Sequence, residues 1–107
     1  MMLNLTDMPR SAVEIIRRNL EEYRINMATS DSLADQLNDE ATPDYEIPVI
    51  NMMWKMAFSI ETESKAKLAR SISVFSRGRI TKEQALEMVS DGKNLDHIDA
   101  LLKRFAA

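Results

Sequence analysis

Apolar residues in this chain recur with helical period. Ala12, Ile16, Leu20, Tyr23 and Met27 follow at four, four, three and four residues, which marks one face of a helix. Asp7 with Pro9 in the first turn, or Ser11 with Glu14 three residues on, would start it. Ala28-Thr29-Ser30-Asp31 reads as a break, after which Ser30 or Asp31 caps a second helix over 32–41 with Leu33, Leu37 and Ala41 inward. Thr42-Pro43-Asp44-Tyr45-Glu46 is a turn, because proline does not continue a helix. Asp44 is placed to cap the next helix, and Pro48 suits its first turn.

That next stretch, 47–60, is the most apolar of the chain and contains its one tryptophan, Trp54. Its apolar residues surround the helix instead of forming a stripe, the pattern of a buried helix. It is therefore expected to be the central helix on which the rest packs. Beyond Ile60 the pattern narrows to Leu68, Ala69, Ile72 and Phe75, which predicts a break near 60–63. A single helix through 49–77 is the alternative, since no glycine or proline lies between Pro48 and Gly78. Gly78 suits the left-handed residue after a helix.

Thr81-Lys82-Glu83-Gln84 has the spacing of a capping box, with Ile80 set to pack on Ala85. It opens a helix over 82–91 with Ala85, Leu86 and Val89 inward. Leu95, Ile98, Leu102 and Phe105 then mark a last helix, so that 80–106 form a short helical hairpin. The expectation is an all-α single domain, 1–107, built as a compact bundle of five or six helices around the buried 47–60 helix.

Composition agrees with this class. Two glycines and three prolines in 107 residues are too few for the tight turns of an all-β fold. With no cysteine, disulfides, thiolate metal sites and a cysteine nucleophile are excluded. The N-terminal residues lack the basic start and apolar run of a signal peptide. The 47–60 run, interrupted by Lys55, is shorter than the roughly 20 residues of a membrane span. The expected location is the cytoplasm, a host's if the chain is phage-encoded, with no membrane partner.

Candidate chemistry is sparse. His97 is the sole histidine, and its neighbours Asp96 and Asp99 do not share its helical direction. Asp91-Gly92-Lys93-Asn94 has the look of a calcium loop, but Ile98 occupies the position that needs a bidentate glutamate. The glycines are isolated, so no phosphate loop is present. No catalytic residue, metal site or cofactor is assigned, and the chain is expected not to be an enzyme.

Charge is more informative. Residues 1–54 carry four basic and ten acidic groups, and residues 55–107 carry ten basic and seven acidic groups. Asp31, Asp35, Asp39, Glu40, Asp44 and Glu46 form an acidic stretch with no base among them, and Tyr45 adds an amphipathic anchor. This face is the expected binding site for a protein with a basic surface. Lys65, Lys67, Arg70, Arg77, Arg79 and Lys82 form a basic stretch, whose alternative use is nucleic-acid binding. Homodimerisation is one way to cover an apolar face that short helices leave unburied.

Residues 12–58 resemble small phage antirestriction proteins that mimic DNA. The likeness rests on Ala12, Glu14, Ile15-Ile16, Asn19 and Leu20, on Thr29, Asp31, Leu33 and Asp35, and on Ile47-Pro48. Those proteins are helical, non-enzymatic and dimeric, and occupy a basic DNA-binding site on their target. This chain departs from them in being basic from Lys55 to Lys82 and ending in Lys103-Arg104-Phe105. The resemblance thus implies only a class: a phage or mobile-element inhibitor or modulator of a host defence or nucleic-acid-handling protein.

Overall fold

A computed structural model describes residues 10–77, 79–91 and 95–100, and among them there is helix but no strand. Two 29-residue helices dominate, α1 (Arg10–Asn38) and α2 (Ile47–Phe75), followed by α3 (Lys82–Ser90) and a helical segment at 95–100. The all-α expectation holds. The expected count of five or six helices is not met among the described residues, because the breaks at 28–31 and 60–63 are absent.

Hydroxyl groups explain the continuity. Thr29 Oγ1 donates to the Ile25 carbonyl, Thr62 Oγ1 to Phe58 and Ser64 Oγ to Ile60. Each satisfies itself within its own helix, the mid-helix alternative to capping that these residue types share. The chain between the two long helices does turn where expected. Thr42 Oγ1 donates to the Gln36 carbonyl and the Ala41 N–H to Asp39 Oδ1, which closes α1 at Asn38. A single 3-10 turn, Asp44–Glu46, then leads into α2, with Pro48 in its first turn. Asp44 lies within that turn and does not cap α2, whose N-cap Glu46 makes no side-chain cap hydrogen bond. Ser11 is already inside α1, so it is not its cap.

The long helices run antiparallel, as two cross-links show: Asn26 with Ser64 and Glu22 with Lys67. The core lies at one end of this pair. Val13, Ile16, Leu20 and Tyr23 of α1 meet Leu68, Ala69 and Ile72 of α2, and Ile80, Ala85, Val89, Leu95 and Ile98 close over them. Arg24 ties the last segment to α1, with Nη2 2.8 Å from Asp96 Oδ1 and Nη1 3.2 Å from Asp99 Oδ2. The capping box of α3 forms as expected: Gln84 N–H donates to Thr81 Oγ1 at 3.1 Å and Thr81 N–H to Gln84 Oε1 at 2.9 Å. Leu86, expected inward, is exposed, and Met88 packs on the core in its place. The left-handed residue after α2 is Arg77, with φ 57°; Gly78 lies outside the described residues, as do Leu102 and Phe105.

At the other end, residues 25–38 and 47–62 form a two-helix arm with no third layer among the described residues. The molecule accordingly measures 53 × 27 × 21 Å, with a radius of gyration of 16.4 Å. A compact chain of this length would have about 13 Å. The bundle is elongated, and the 47–60 helix is its limb, not its centre.

Candidate binding surface on the helical arm

Only Ile50 within 47–60 is buried, and it faces α1 together with Ser64, Leu68 and Ile72 further along α2. Val49, Met53, Met56 and Ile60 are each half-exposed or more. They follow at spacings of four, three and four residues, so they form one continuous stripe along a single flank of the helix. Met52, 65% exposed, widens it. The expected burial of this run is thus corrected. A helix that is apolar all round needs cover on all sides, and α1 supplies it on one.

The opposite edge of the same helix carries a ring pair. Trp54 is half-buried and stacks on Phe58 with ring centroids 5.4 Å apart and an interplanar angle of 28°. Ile25, exposed on α1, stands between the charged and polar residues Glu21, Glu22 and Thr29 and extends no patch. The stripe ends sharply at Ile60: the same flank continues with Glu63, Lys67 and Arg70, all exposed.

The sequence-derived acidic residues gather at the free end of the arm. Asp31 and Asp35 lie a turn apart on α1, while Asp39, Glu40, Asp44 and Glu46 surround the connection, where Tyr45 is 79% exposed. All six carboxylates are exposed, and none forms an ion pair among the described residues. They do not neutralise the basic stretch. Residues 47 and 70 of α2 are about 35 Å apart at 1.5 Å per residue, so the acids of the connection and the bases from Arg70 onward occupy different ends of the described structure.

The six basic candidates are not brought onto one face. Lys65 is half-buried, and Lys67, two positions on, points to the other side of α2, where it pairs with Glu22 at 3.3 Å. Arg70 is exposed on that second side, and Arg77, Arg79 and Lys82 lie around the turn into α3. His97 is exposed, and its neighbours Asp96 and Asp99 are engaged by Arg24.

One titratable group near the arm is perturbed. Burial, then the charges of Glu61 and Asp31, raise the Tyr23 phenol above its ordinary value. Among the described residues no helix is long and apolar enough to cross a membrane, and no three His, Asp or Glu side chains cluster as metal ligands would. The surface feature that sequence reasoning missed is the stripe. Its spacing was legible, but the apolar residues on its other sides hid it.

No family model matches the chain, and no curated protein or solved structure matches it.

Proposed function

We propose that this chain is a non-enzymatic binding protein that modulates another protein by direct contact, and that the arm is its binding element. The observation that carries this reading is the exposed stripe Val49–Met53–Met56–Ile60 beside a carboxylate-rich tip free of ion pairs. Contiguous apolar surface rimmed by polar groups marks interaction sites on soluble proteins. Methionine suits such a surface, because its unbranched side chain adapts to its partner. The acidic tip favours a partner with a basic surface and would speed their encounter. The likeness to phage antirestriction proteins supports the same class, a modulator of a nucleic-acid-handling host protein.

The test is a comparison of two variants with the wild-type chain as bait. Met53→Glu with Met56→Glu removes the stripe, and Asp35→Lys with Asp39→Lys and Asp44→Lys inverts the tip. Loss of captured proteins with either variant, at unchanged far-UV circular dichroism, supports the reading. Capture that survives both would overturn it. The alternative, nucleic-acid binding through Arg77, Arg79 and Lys82, predicts a salt-sensitive gel shift with duplex or single-stranded DNA.

A further inference from the structure

The stripe fits a second copy of this chain. We infer that α2 pairs with α2 of that copy, antiparallel, about a two-fold axis between Met53 and Met56. This rests on the reading of the arm as a protein-binding element and names the stripe's occupant.

The first argument is spacing. Val49, Met53, Met56 and Ile60 alternate by four and three residues, the repeat by which two helices interlock along a seam. Interleaved antiparallel, Val49 stands opposite Ile60 of the other copy, and Met53 opposite Met56. Every position of the stripe then meets another stripe position, as a self-complementary two-fold interface requires. The arms, each already a pair of helices, together make a four-helix bundle whose missing layers are supplied by the second copy.

Area is the second argument. The exposed fractions of Val49, Met52, Met53, Met56 and Ile60 lie between 50% and 65%. For side chains of this size that leaves roughly 500 Å² per copy, or about 1,000 Å² in all when fully covered, the threshold that a biological interface has to clear. Both ends of the seam add to it.

Charge fixes the direction. Beyond Ile60 the seam flank carries Glu63, Lys67 and Arg70, which together with Glu22, the exposed partner of Lys67, sum to zero, so this end lacks the net negative charge of the connection. The connection at the other end carries Asp39, Glu40, Asp44 and Glu46. Antiparallel packing lays the acidic connection of each copy along the 63–70 flank of the other. Parallel packing would bring the two acidic tips together, and like charges so placed repel. Asp31 and Asp35 stay outside the seam, so the dimer still presents acid to a further partner.

The chain has no cysteine, so introduced thiols report the register without interference. On oxidation Val49→Cys alone should stay uncrosslinked, because its two copies lie about 16 Å apart along the axis, 11 residues at 1.5 Å. An equimolar mixture of Val49→Cys and Ile60→Cys should crosslink. By light scattering the wild-type chain should show twice the 12.2 kDa chain mass, and Met53→Glu with Met56→Glu should halve it at unchanged helicity. These side chains are exposed in the single chain, so the variant keeps its fold. A wild-type mass of one chain, or Val49→Cys that links to itself as readily as to Ile60→Cys, would overturn the inference. The pull-down then decides the broader reading separately: a monomer whose stripe variant loses captured proteins keeps the arm as a binding element without self-pairing.

Discussion

Asn26 donates its side-chain N–H to Ser64 Oγ at 2.6 Å, and the Ser64 hydroxyl in turn donates to the Ile60 carbonyl at 2.6 Å. This bridge stands where the three-layered core ends and the two-layered arm begins. Tyr23 and Leu68 are buried on one side of it, while Ile60 is exposed on the other. Ser64→Ala leaves the Asn26 amide half-buried without this acceptor and should cost about 1 kcal/mol in urea unfolding. Adding Asn26→Leu should recover most of that loss, since removing both partners leaves no group unsatisfied. A double-variant loss equal to the sum of the losses of Ser64→Ala and Asn26→Leu measured singly would mean that the bridge carries no coupling.

The turn after α2 depends on Ser76. Its Oγ accepts the Ile80 N–H at 3.0 Å and donates to the Ser73 carbonyl at 2.7 Å, and Ser73 Oγ reaches the Ile80 carbonyl at 2.9 Å. Ile80 is thereby delivered into the core, 3% exposed. Ser76→Ala should cost about 1–3 kcal/mol, the penalty of an unpaired buried N–H. Arg77→Gly should act in the other direction by about 0.5–1 kcal/mol, because Arg77 holds a left-handed φ of 57° that glycine adopts without strain. Chemical denaturation of the two variants checks both signs.

Much of the core was readable from periodicity. Ala12, Ile16, Leu20 and Tyr23, and later Leu68, Ala69 and Ile72, are all buried as their spacing requires, and the Thr81–Gln84 box forms. The two false breaks have a common cause. Thr29, Thr62 and Ser64 belong to residue types that either cap a helix or bond back into it, and only the surrounding packing decides which. The 47–60 run failed differently. Apolar residues on every side imply that cover is needed, but periodicity carries no information about which chain provides it. The acidic residues were legible as a cluster in sequence, and Asp39, Glu40, Asp44 and Glu46 remain together around the connection, with Asp31 and Asp35 on α1 beside it. The basic ones were a cluster in sequence only, because Lys65 and Lys67 lie on opposite sides of α2.

Trp54 separates the two views of that run. As a core residue its truncation to alanine would cost roughly 3–5 kcal/mol. It is instead half-buried and stacked on Phe58, itself half-exposed. Trp54→Ala should therefore cost about 1–2 kcal/mol, the scale of a ring pair plus partial burial. Its edge of α2 is not the stripe, so the oligomeric mass should be unchanged. A loss above 3 kcal/mol would return Trp54 to the core.

Arg24 is the clamp on the last helical segment. It spans Asp96 and Asp99, and Asp99 is the less exposed of the two carboxylates, at 18% against 82%. Arg24→Ala should cost about 1–2 kcal/mol, while Asp96→Asn should cost less than 1, because an exposed ion pair is largely screened by water. Hydrogen exchange at 95–100 should quicken in Arg24→Ala ahead of exchange in α1. Uniform quickening through both segments would assign Arg24 to global stability and not to the clamp.

Tyr23 gives the fold an alkaline limit. Its raised pKa, caused first by burial and then by Glu61 and Asp31, means that the folded chain holds the phenolic proton more firmly than the unfolded chain. This contribution to stability is fully present below the ordinary tyrosine pKa of about 10 and is lost as pH rises through the higher folded value. Tyr23→Phe cannot titrate there. The stability of wild type relative to Tyr23→Phe should thus be constant up to about pH 10 and fall above it, read from urea midpoints across that range. Glu61→Gln removes one of the charges that oppose ionisation, so Tyr23 should ionise at lower pH in that variant, as followed by tyrosinate absorbance corrected for Tyr45. Parallel pH profiles for wild type and Tyr23→Phe would show that Tyr23 ionises as freely in the folded chain as in the unfolded one.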